Sequence, residues 1–373
     1  MTAAPLRVFV STGEASGELL AADLVGAMRA LGVTLDADGI GGERLEAAGV
    51  RLTQRSAGWA SMGPIDALGK IPKLLAVATR TAIALRTHPY DLIVLVDFGA
   101  FNLRLARMIR ALGSSTPILY YFPPGAWFDD PARARKVAEL SDGLTAFAHQ
   151  RDFYRSWGLP IGWHGHPLVS TVAARGPRPL APADGGVVAL LPGSRAGEIA
   201  RHTPRLLHAL ELLRETRPNV TALIPAVDVA ALAAFEELLR LRSPLPVTIV
   251  RSAREALAAA DAAAVASGTA VLEAALLEVP TVAMYVLSQA QAKIARRVYK
   301  RTFVTLPNLV LNEPIVPELL QEGATPQALA VALEAALTEP AAQLADFRRL
   351  REVLGPPDTL ERCARFALRL AGR

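Results

Sequence analysis

Short apolar runs recur along the chain, and most are followed by a small-residue turn and then by apolar positions at helical spacing. The runs are continuous instead of alternating with polar residues, which is typical of strands buried on both faces of a parallel sheet. Strands are predicted at residues 6–10, 91–97, 117–121, 144–147, 187–191, 221–225, 247–250, 262–266 and 281–285. Strands alternating with helices predict an α/β fold.

Two parts of the chain open alike, with a strand, a small-residue loop that carries glutamate, and a helix. The loops are STGEASGE at residues 11–18 and PGSRAGE at 192–198. This repetition predicts two Rossmann-like domains. Residues 176–186, GPRPLAPADGG, have the composition of a linker. We therefore expect an N-terminal domain over residues 1–176, a C-terminal domain over 187–345, and a helical tail over 346–373 that folds back on the first domain.

Composition limits the cellular compartments in which the protein could work and the partners that it could bind. The longest apolar stretch, residues 256–287, is interrupted by three carboxylates and a proline, which argues against a membrane span. The N-terminus lacks the order of a signal peptide, and the single cysteine, Cys363, excludes an intramolecular disulfide. A cytoplasmic protein is predicted. The net charge of +5 suits anionic partners, but basic residues are not interleaved with aromatics, so nucleic acid is the weaker candidate.

Residues 59–85 form a basic amphipathic segment, in which Lys70, Lys73 and Arg80 stand among apolar residues. Such a segment can lie in a membrane interface, although most pack on their own domain. Both interpretations stay open from composition alone.

Three small-residue loops are candidate anion sites, because helix N-termini present unpaired N–H groups and a favourable dipole. They contain Gly13 and Glu14, then Ser194 and Arg195, and then Ser267, Gly268 and Thr269, with Glu273 one helical turn later, where it could accept hydrogen bonds from a ribose. Ordinary strand-to-helix turns are an equally good explanation of the first two loops taken singly.

Asp97 ends an apolar strand, at the edge where ligands of open α/β sheets collect. It is the best candidate in the first half for a catalytic base. A helix cap is the serious alternative. His164 and His166, in WHGHP, are too few for a metal site on their own.

Several blocks, in this order and spacing, resemble the lipid-A-disaccharide synthase family of glycosyltransferases. They include TGEASGE, GIGGERLEAAG, DLIVLVDFGAFN, GHPL, LLPGSRAGE, ASGTAVLEAALLEVP and FVTLPNLVLNEPIVPELLQE. The resemblance extends from about residue 6 to about residue 333. It implies a GT-B fold, in which two Rossmann-like domains face a cleft.

The resemblance also implies a reaction. The family joins a UDP-linked diacylglucosamine to a diacylglucosamine 1-phosphate through a β-1,6 bond, releases UDP, and uses no metal or other cofactor. Arg195 and the turn of Ser267, Gly268 and Thr269 would hold the UDP phosphates. Glu273 and Asn308 would hold the nucleoside or the donor sugar, and Asp97 would be the general base. A lipid acceptor implies peripheral attachment to the inner face of the membrane, with residues 59–85 as the contact.

Departures from the family pattern fall mostly in the first half, which receives the acceptor. They lie at Glu18, Ala100, residues 123–130, 148–150 and 169–170, and Val286. They keep three alternatives open: a related transferase with another acceptor, a UDP-sugar 2-epimerase, and a UDP-binding protein without activity.

Overall fold

The structure is a computed structural model that describes residues 4–56, 59, 64–123, 130–173, 185–226, 229–240, 244–299 and 301–373. The chain divides into two compact units. Unit 1 comprises Met1–Thr171 and Leu354–Arg373, and unit 2 comprises Val172–Val353. Most of the predicted linker, residues 174–184, lies outside the described residues.

Unit 1 contains a parallel sheet of seven described strands in the order β3-β2-β1-β4-β5-β6-β7. Its strands are β1 Leu6–Ser11, β2 Leu35–Gly41, β3 Arg51–Arg55, β4 Leu92–Val96, β5 Ile118–Tyr121, β6 Asp142–Thr145 and β7 Gly162–Trp163. Its helices are α1 Ala15–Ala30, α2 Glu43–Ala47, α3 Pro64–Thr87, α4 Gly99–Ala111, α5 Pro131–Leu140, α6 Ala148–Ser156, α7 Leu168–Thr171 and α16 Thr359–Leu370.

Unit 2 contains a second parallel sheet, with six described strands in the order β10-β9-β8-β11-β12-β13. Its strands are β8 Val187–Leu191, β9 Thr221–Pro225, β10 Val247–Val250, β11 Ala262–Ala266, β12 Thr281–Tyr285 and β13 Glu318–Leu320. Its helices are α8 Ala196–Thr216, α9 Val229–Arg240, α10 Ala253–Ala259, α11 Thr269–Leu276, α12 Gln289–Val298, α13 Leu306–Leu311, α14 Pro326–Thr338 and α15 Ala341–Leu354. The α/β class and the Rossmann-like character of both halves are confirmed.

The order of strands defines one switch point in each sheet. The chain adds strands to one side of β1 and then returns to add β4 on its other side, and β8 and β11 repeat this arrangement. The loops that follow the two central neighbours diverge, which leaves a crevice at the carboxyl edge where ligands of open α/β sheets bind. Both β4 and β11 are buried over their whole length, as expected of central parallel strands covered by helices.

The C-terminal helix α16 belongs to unit 1, whose second segment begins at Leu354. The hydroxyl of Thr359 donates to the carbonyl of His164 at 3.0 Å, and the N–H of Leu360 donates to the hydroxyl of Ser170 at 2.9 Å. Gly165 has φ +111°, and a Cβ there would overlap the Thr359 hydroxyl, so this position requires glycine. The segment that contains the GHP sequence therefore packs against the start of α16 and is hydrogen-bonded to it.

His166 packs between the rings of Phe122 and Phe147, with centroid separations of 5.9 and 5.3 Å. Its Nδ1 accepts the N–H of Leu168 at 3.2 Å. Burial lowers the pKa of His166 to about 3, so the ring is neutral at physiological pH. This histidine is part of the packed interior of unit 1.

None of the described helices combines the length and hydrophobicity that a membrane span requires.

Candidate functional site

Asp97 lies immediately after β4, at the switch point of unit 1, in a left-handed backbone conformation that it shares with Phe98. The φ angles are +45° and +43°, and such conformations cost about 1–3 kcal/mol each for residues other than glycine. The Asp97 carbonyl accepts hydrogen bonds from the Asn102 side chain and from the Tyr120 hydroxyl, both at 3.0 Å. These bonds hold the turn in place.

Asn102 joins the carboxyl ends of β1 and β4. Its buried Nδ2 also donates to the carbonyls of Val96 and Ser11, at 3.0 and 3.3 Å, and its Oδ1 accepts the Ser11 hydroxyl at 2.8 Å. No role was predicted for this asparagine beyond its place in a motif. A polar residue five positions after a strand-ending aspartate was the available signal.

The carboxyl group of Asp97 has a pKa raised to about 6. Burial is the main cause, the nearby negative charge of Glu14 adds to it, and a hydrogen bond from the Phe98 backbone opposes both. Helix α4 begins at Gly99 with Phe98 as its N-cap, and in the described part of the chain no side chain caps it. Asp97 is therefore not the cap of α4, and its environment is that of a base which ionises near neutral pH.

Gly13 faces the ring of Phe98, and a Cβ at position 13 would overlap that ring. The ring of Phe98 also stacks on Trp59, with a centroid separation of 6.0 Å. Gly13 has no side chain, and the ring of Phe98 fills the space that a side chain there would need. Glu18, in the same loop, accepts the backbone N–H groups of Arg44 and Leu45 at 2.7 and 3.1 Å and so caps α2.

The turn that contains Ser194 and Arg195 differs from the sequence-based expectation in one respect. Its N–H groups are not open to an anion, because both point to the carboxylate of Glu198, at 3.2 and 3.3 Å. The reason is a capping box, in which a glutamate three residues after the N-cap returns to the first N–H groups of the helix. At this turn, the guanidinium of Arg195 is the group suited to bind phosphate.

Glu198 is buried and is the centre of a hydrogen-bond network that motif reasoning missed. Its Oε1 accepts Arg195 Nη1 at 3.1 Å and the Tyr285 hydroxyl at 2.7 Å. Burial, followed by the charge of Glu198, raises the pKa of Tyr285 to about 12, so the phenol keeps its proton and donates it. Arg195 follows β8, and Tyr285 is the last residue of β12. The network therefore connects the carboxyl ends of two strands of the same sheet. The spacing of Glu198 from Arg195 was the signal that could have revealed it.

Ser267, Gly268 and Thr269 connect β11 to α11, beside the end of β8. Gly268 is the N-cap of α11 and is exposed, and no side chain among the described residues caps this helix. A Cβ added at Gly268 would meet no atom within 4 Å. The first N–H groups of α11 thus begin at an open, uncapped turn, which is the better placed of the two turns in unit 2 for a phosphate group.

Glu273 and Asn308 are both engaged within unit 2. Glu273 pairs with Arg254 at 2.9 Å. Asn308 is buried, and its Nδ2 donates to the Val316 carbonyl at 2.8 Å and to Glu318 at 2.9 Å. Its Oδ1 accepts the Val316 N–H at 2.8 Å. Since both amide hydrogens are used internally, Asn308 orients the segment around α13, and its direct contact with a donor stays a prediction.

The carboxylate of Glu318 binds the turn that precedes α13. It accepts the backbone N–H groups of Val304 and Thr305, at 3.0 and 2.8 Å, and the Thr305 hydroxyl at 2.8 Å.

Within the described parts of the chain, no group of three His, Cys, Asp or Glu side chains is placed to hold a metal ion.

Comparison with known proteins gives one consistent family. The model of the lipid-A-disaccharide synthetase family matches residues 8–354. The lipid-A-disaccharide synthase of Pseudomonas aeruginosa is 35% identical over 376 residues, covering 99% of each chain. That of Synechocystis is 37% identical over 387 residues, covering 98% of each chain.

Solved structures agree at the level of the fold. A UDP-GlcNAc 2-epimerase from Neisseria meningitidis, bound to UDP-GlcNAc, aligns with a TM-score of 0.62 at 9% identity and covers 98% of this chain and 99% of that one. A calicheamicin glycosyltransferase aligns with a TM-score of 0.60 at 15% identity, covering 99% of each chain. Because isomerases and transferases share this fold, the fold alone does not distinguish between them, whereas the relatives in sequence do. This chain belongs to the lipid-A-disaccharide synthase family.

Proposed function

We propose that this protein transfers an acylated glucosamine from a UDP-linked donor to a lipid-linked glucosamine 1-phosphate, forming the β-1,6 bond of the lipid A disaccharide. The observation that carries the proposal is 35–37% identity to lipid-A-disaccharide synthases over nearly the whole chain. Family membership makes the chain a UDP-sugar-dependent glycosyltransferase of lipid A formation.

Unit 1 supplies the base in this proposal. The carboxylate of Asp97 takes the proton of the acceptor hydroxyl while that oxygen attacks the anomeric carbon of the donor, with inversion. The bond from this carbon to UDP breaks, and its electrons leave on the diphosphate. A pKa of about 6 keeps Asp97 largely ionised at pH 7 to 8 while retaining basicity. Glu14, as part of the same crevice, tunes that basicity.

Unit 2 supplies the donor site. Arg195 and the uncapped start of α11, with Ser267, Gly268 and Thr269, bind the diphosphate and stabilise the charge that develops on it. Glu273 accepts hydrogen bonds from the nucleoside, and Asn308 acts by shaping its surroundings. Guanidinium and helix N–H groups do the work of a cation, so we expect no requirement for a metal or other cofactor.

The lipid acceptor brings the protein to the inner face of the membrane through residues 59–85. Among the described side chains of helix α3, three large apolar ones are exposed, those of Ile71, Leu75 and Ile83. Lys73 and Arg80 are exposed on the same helix. Apolar side chains between basic ones are suited to an anionic bilayer surface. Four other residues of α3 are buried and anchor the helix in unit 1, namely Val77, Ala78, Ala82 and Leu85.

The decisive experiment presents purified protein with an acylated UDP-glucosamine and an acylated glucosamine 1-phosphate, and follows the disaccharide by mass spectrometry and UDP by a coupled assay. We expect the disaccharide and one UDP per bond formed. Conversion of UDP-GlcNAc without an acceptor would instead show an epimerase. UDP binding without turnover on any acceptor would show a non-catalytic relative, and UDP release with another acceptor would correct the acceptor only.

A further inference from the structure

Helix α8 is fastened to the carboxyl end of β12 by two adjacent residues. The buried ring of His202 lies between the carbonyl of Pro192, 2.7 Å from Nδ1, and the N–H of Val286, which donates to Nε2 at 3.0 Å. Burial lowers the pKa of His202, so the ring stays neutral and can donate at Nδ1 while accepting at Nε2. Arg201 Nε donates to the carbonyl of Val286 at 3.0 Å. The guanidinium of Arg201 is thereby fixed beside the end of β12.

The positive charge of the Arg201 guanidinium is not neutralised by a carboxylate among the described residues. Among the described residues, no carboxylate pairs with Arg201, and its one side-chain hydrogen bond is the one from Nε to Val286. Arg195, by contrast, is matched by Glu198 at 3.1 Å. Arg201 and Arg195 both act electrostatically on the phenol of Tyr285. Two guanidinium groups and one carboxylate, that of Glu198, thus act on Tyr285, which leaves a net positive charge at the carboxyl end of β12.

A nucleoside diphosphate carries more negative charge than a single guanidinium offsets, and arginine binds phosphate oxygens through two parallel N–H groups. Nη1 and Nη2 of Arg201 remain for such a ligand once Nε is used to fix the side chain. We propose that Arg201 is a second guanidinium of the diphosphate site, orienting the donor diphosphate together with Arg195. This inference rests on the proposed function, since it requires a UDP-linked donor in unit 2.

The test compares UDP and uridine as ligands of the full-length protein, with UDP affinity measured by calorimetry and uridine affinity by competition in ligand-observed NMR. We expect Arg201→Gln to weaken UDP binding roughly 10–100-fold and to change uridine binding less than about twofold, because only UDP carries the phosphates. Arg201→Lys keeps the charge and loses the planar fork, so its UDP affinity falls between those of the wild type and Arg201→Gln.

Arg205→Gln is the matched control, because Arg205 lies one turn later on α8 and its Nη1 binds the backbone carbonyl of Arg201. It removes the same charge and should leave UDP affinity within about threefold of wild type. Unchanged UDP affinity in folded Arg201→Gln, an equal loss in Arg205→Gln, or an equal loss for uridine would each overturn the inference. If Arg201→Gln does not fold, Arg201→Lys decides by the same comparison. Failure of the wild type to bind UDP at all would instead overturn the proposed function, and this inference with it.

Discussion

The hydroxyl of Tyr285 donates a 2.7 Å hydrogen bond to the carboxylate of Glu198, the group that also holds the guanidinium of Arg195. Tyr285→Phe removes this bond alone. We expect a loss of about 1–2 kcal/mol in the free energy of unfolding and a several-fold loss of UDP affinity, because Arg195 becomes less well oriented. Urea denaturation and calorimetry measure both. Tyr299→Phe is the control: its hydroxyl binds the carbonyl of Phe303, so it should cost stability without lowering UDP affinity.

Asp97→Asn should lower turnover by roughly 10²–10⁴-fold while UDP affinity stays near that of the wild type, because base catalysis acts in the transition state. The same substitution should not lower stability at pH 7.5. The pKa of Asp97 is raised by folding from 3.8 to about 6, so its contribution to stability is present below pH 4 and is lost as the pH rises through 6. Near-normal turnover, or a large fall in melting temperature, would contradict the assignment.

The acid limb of the turnover profile should have an apparent pKa near 6 if Asp97 must be ionised. Glu14→Gln removes a negative charge that raises this pKa, so we expect the limb to move to lower pH. Rates measured from pH 4.5 to 9 would show the shift. Glu46→Gln, on α2 and paired with Arg55, is the control and should leave the limb in place. A shift in the opposite direction would exclude the proposed coupling.

Replacing exposed apolar residues of α3 should reduce membrane association. Ile71 is 43% exposed and Leu75 is 39% exposed, so serine at both positions should weaken flotation with anionic vesicles while unfolding stays close to wild type. Val331→Ser is the control, since Val331 is 71% exposed on α14 in the other unit. Higher salt should weaken the electrostatic part of binding and spare the apolar part. Equal flotation of the double variant and wild type would remove α3 from the contact.

Transferase activity should survive EDTA. The proposed diphosphate site uses arginine and the N–H groups of α11, which stabilise the leaving UDP without a divalent ion. Initial rates in 5 mM EDTA and in the same buffer with added magnesium or manganese, at about the same ionic strength, make the comparison. Loss of activity that either ion restores would show that the donor site needs a metal.

The α/β class and the parallel character of the sheets follow from local patterns. Continuous apolar runs such as residues 92–96 and 262–266 are typical of strands covered on both faces, and helices between such strands favour parallel pairing. The same logic placed Asp97, Arg195 and Ser267 after strands, and therefore at one kind of sheet edge. These inferences succeed because strand burial and strand-to-helix turns depend on residues close together in the chain.

Contacts between distant residues required the tertiary structure. Glu198 meets Tyr285, 87 positions away, and Asn102 meets Ser11 across 91 positions. Gly13 was predicted to admit a ligand, yet a Cβ there would overlap the ring of Phe98, which lies in the turn after β4. The pKa of Asp97 likewise depends on burial and on Glu14 in a different loop. Sequence patterns therefore determined which residues stand at the edges of the sheets, whereas only the folded chain decided which groups there are already occupied, because desolvation and charge act through space.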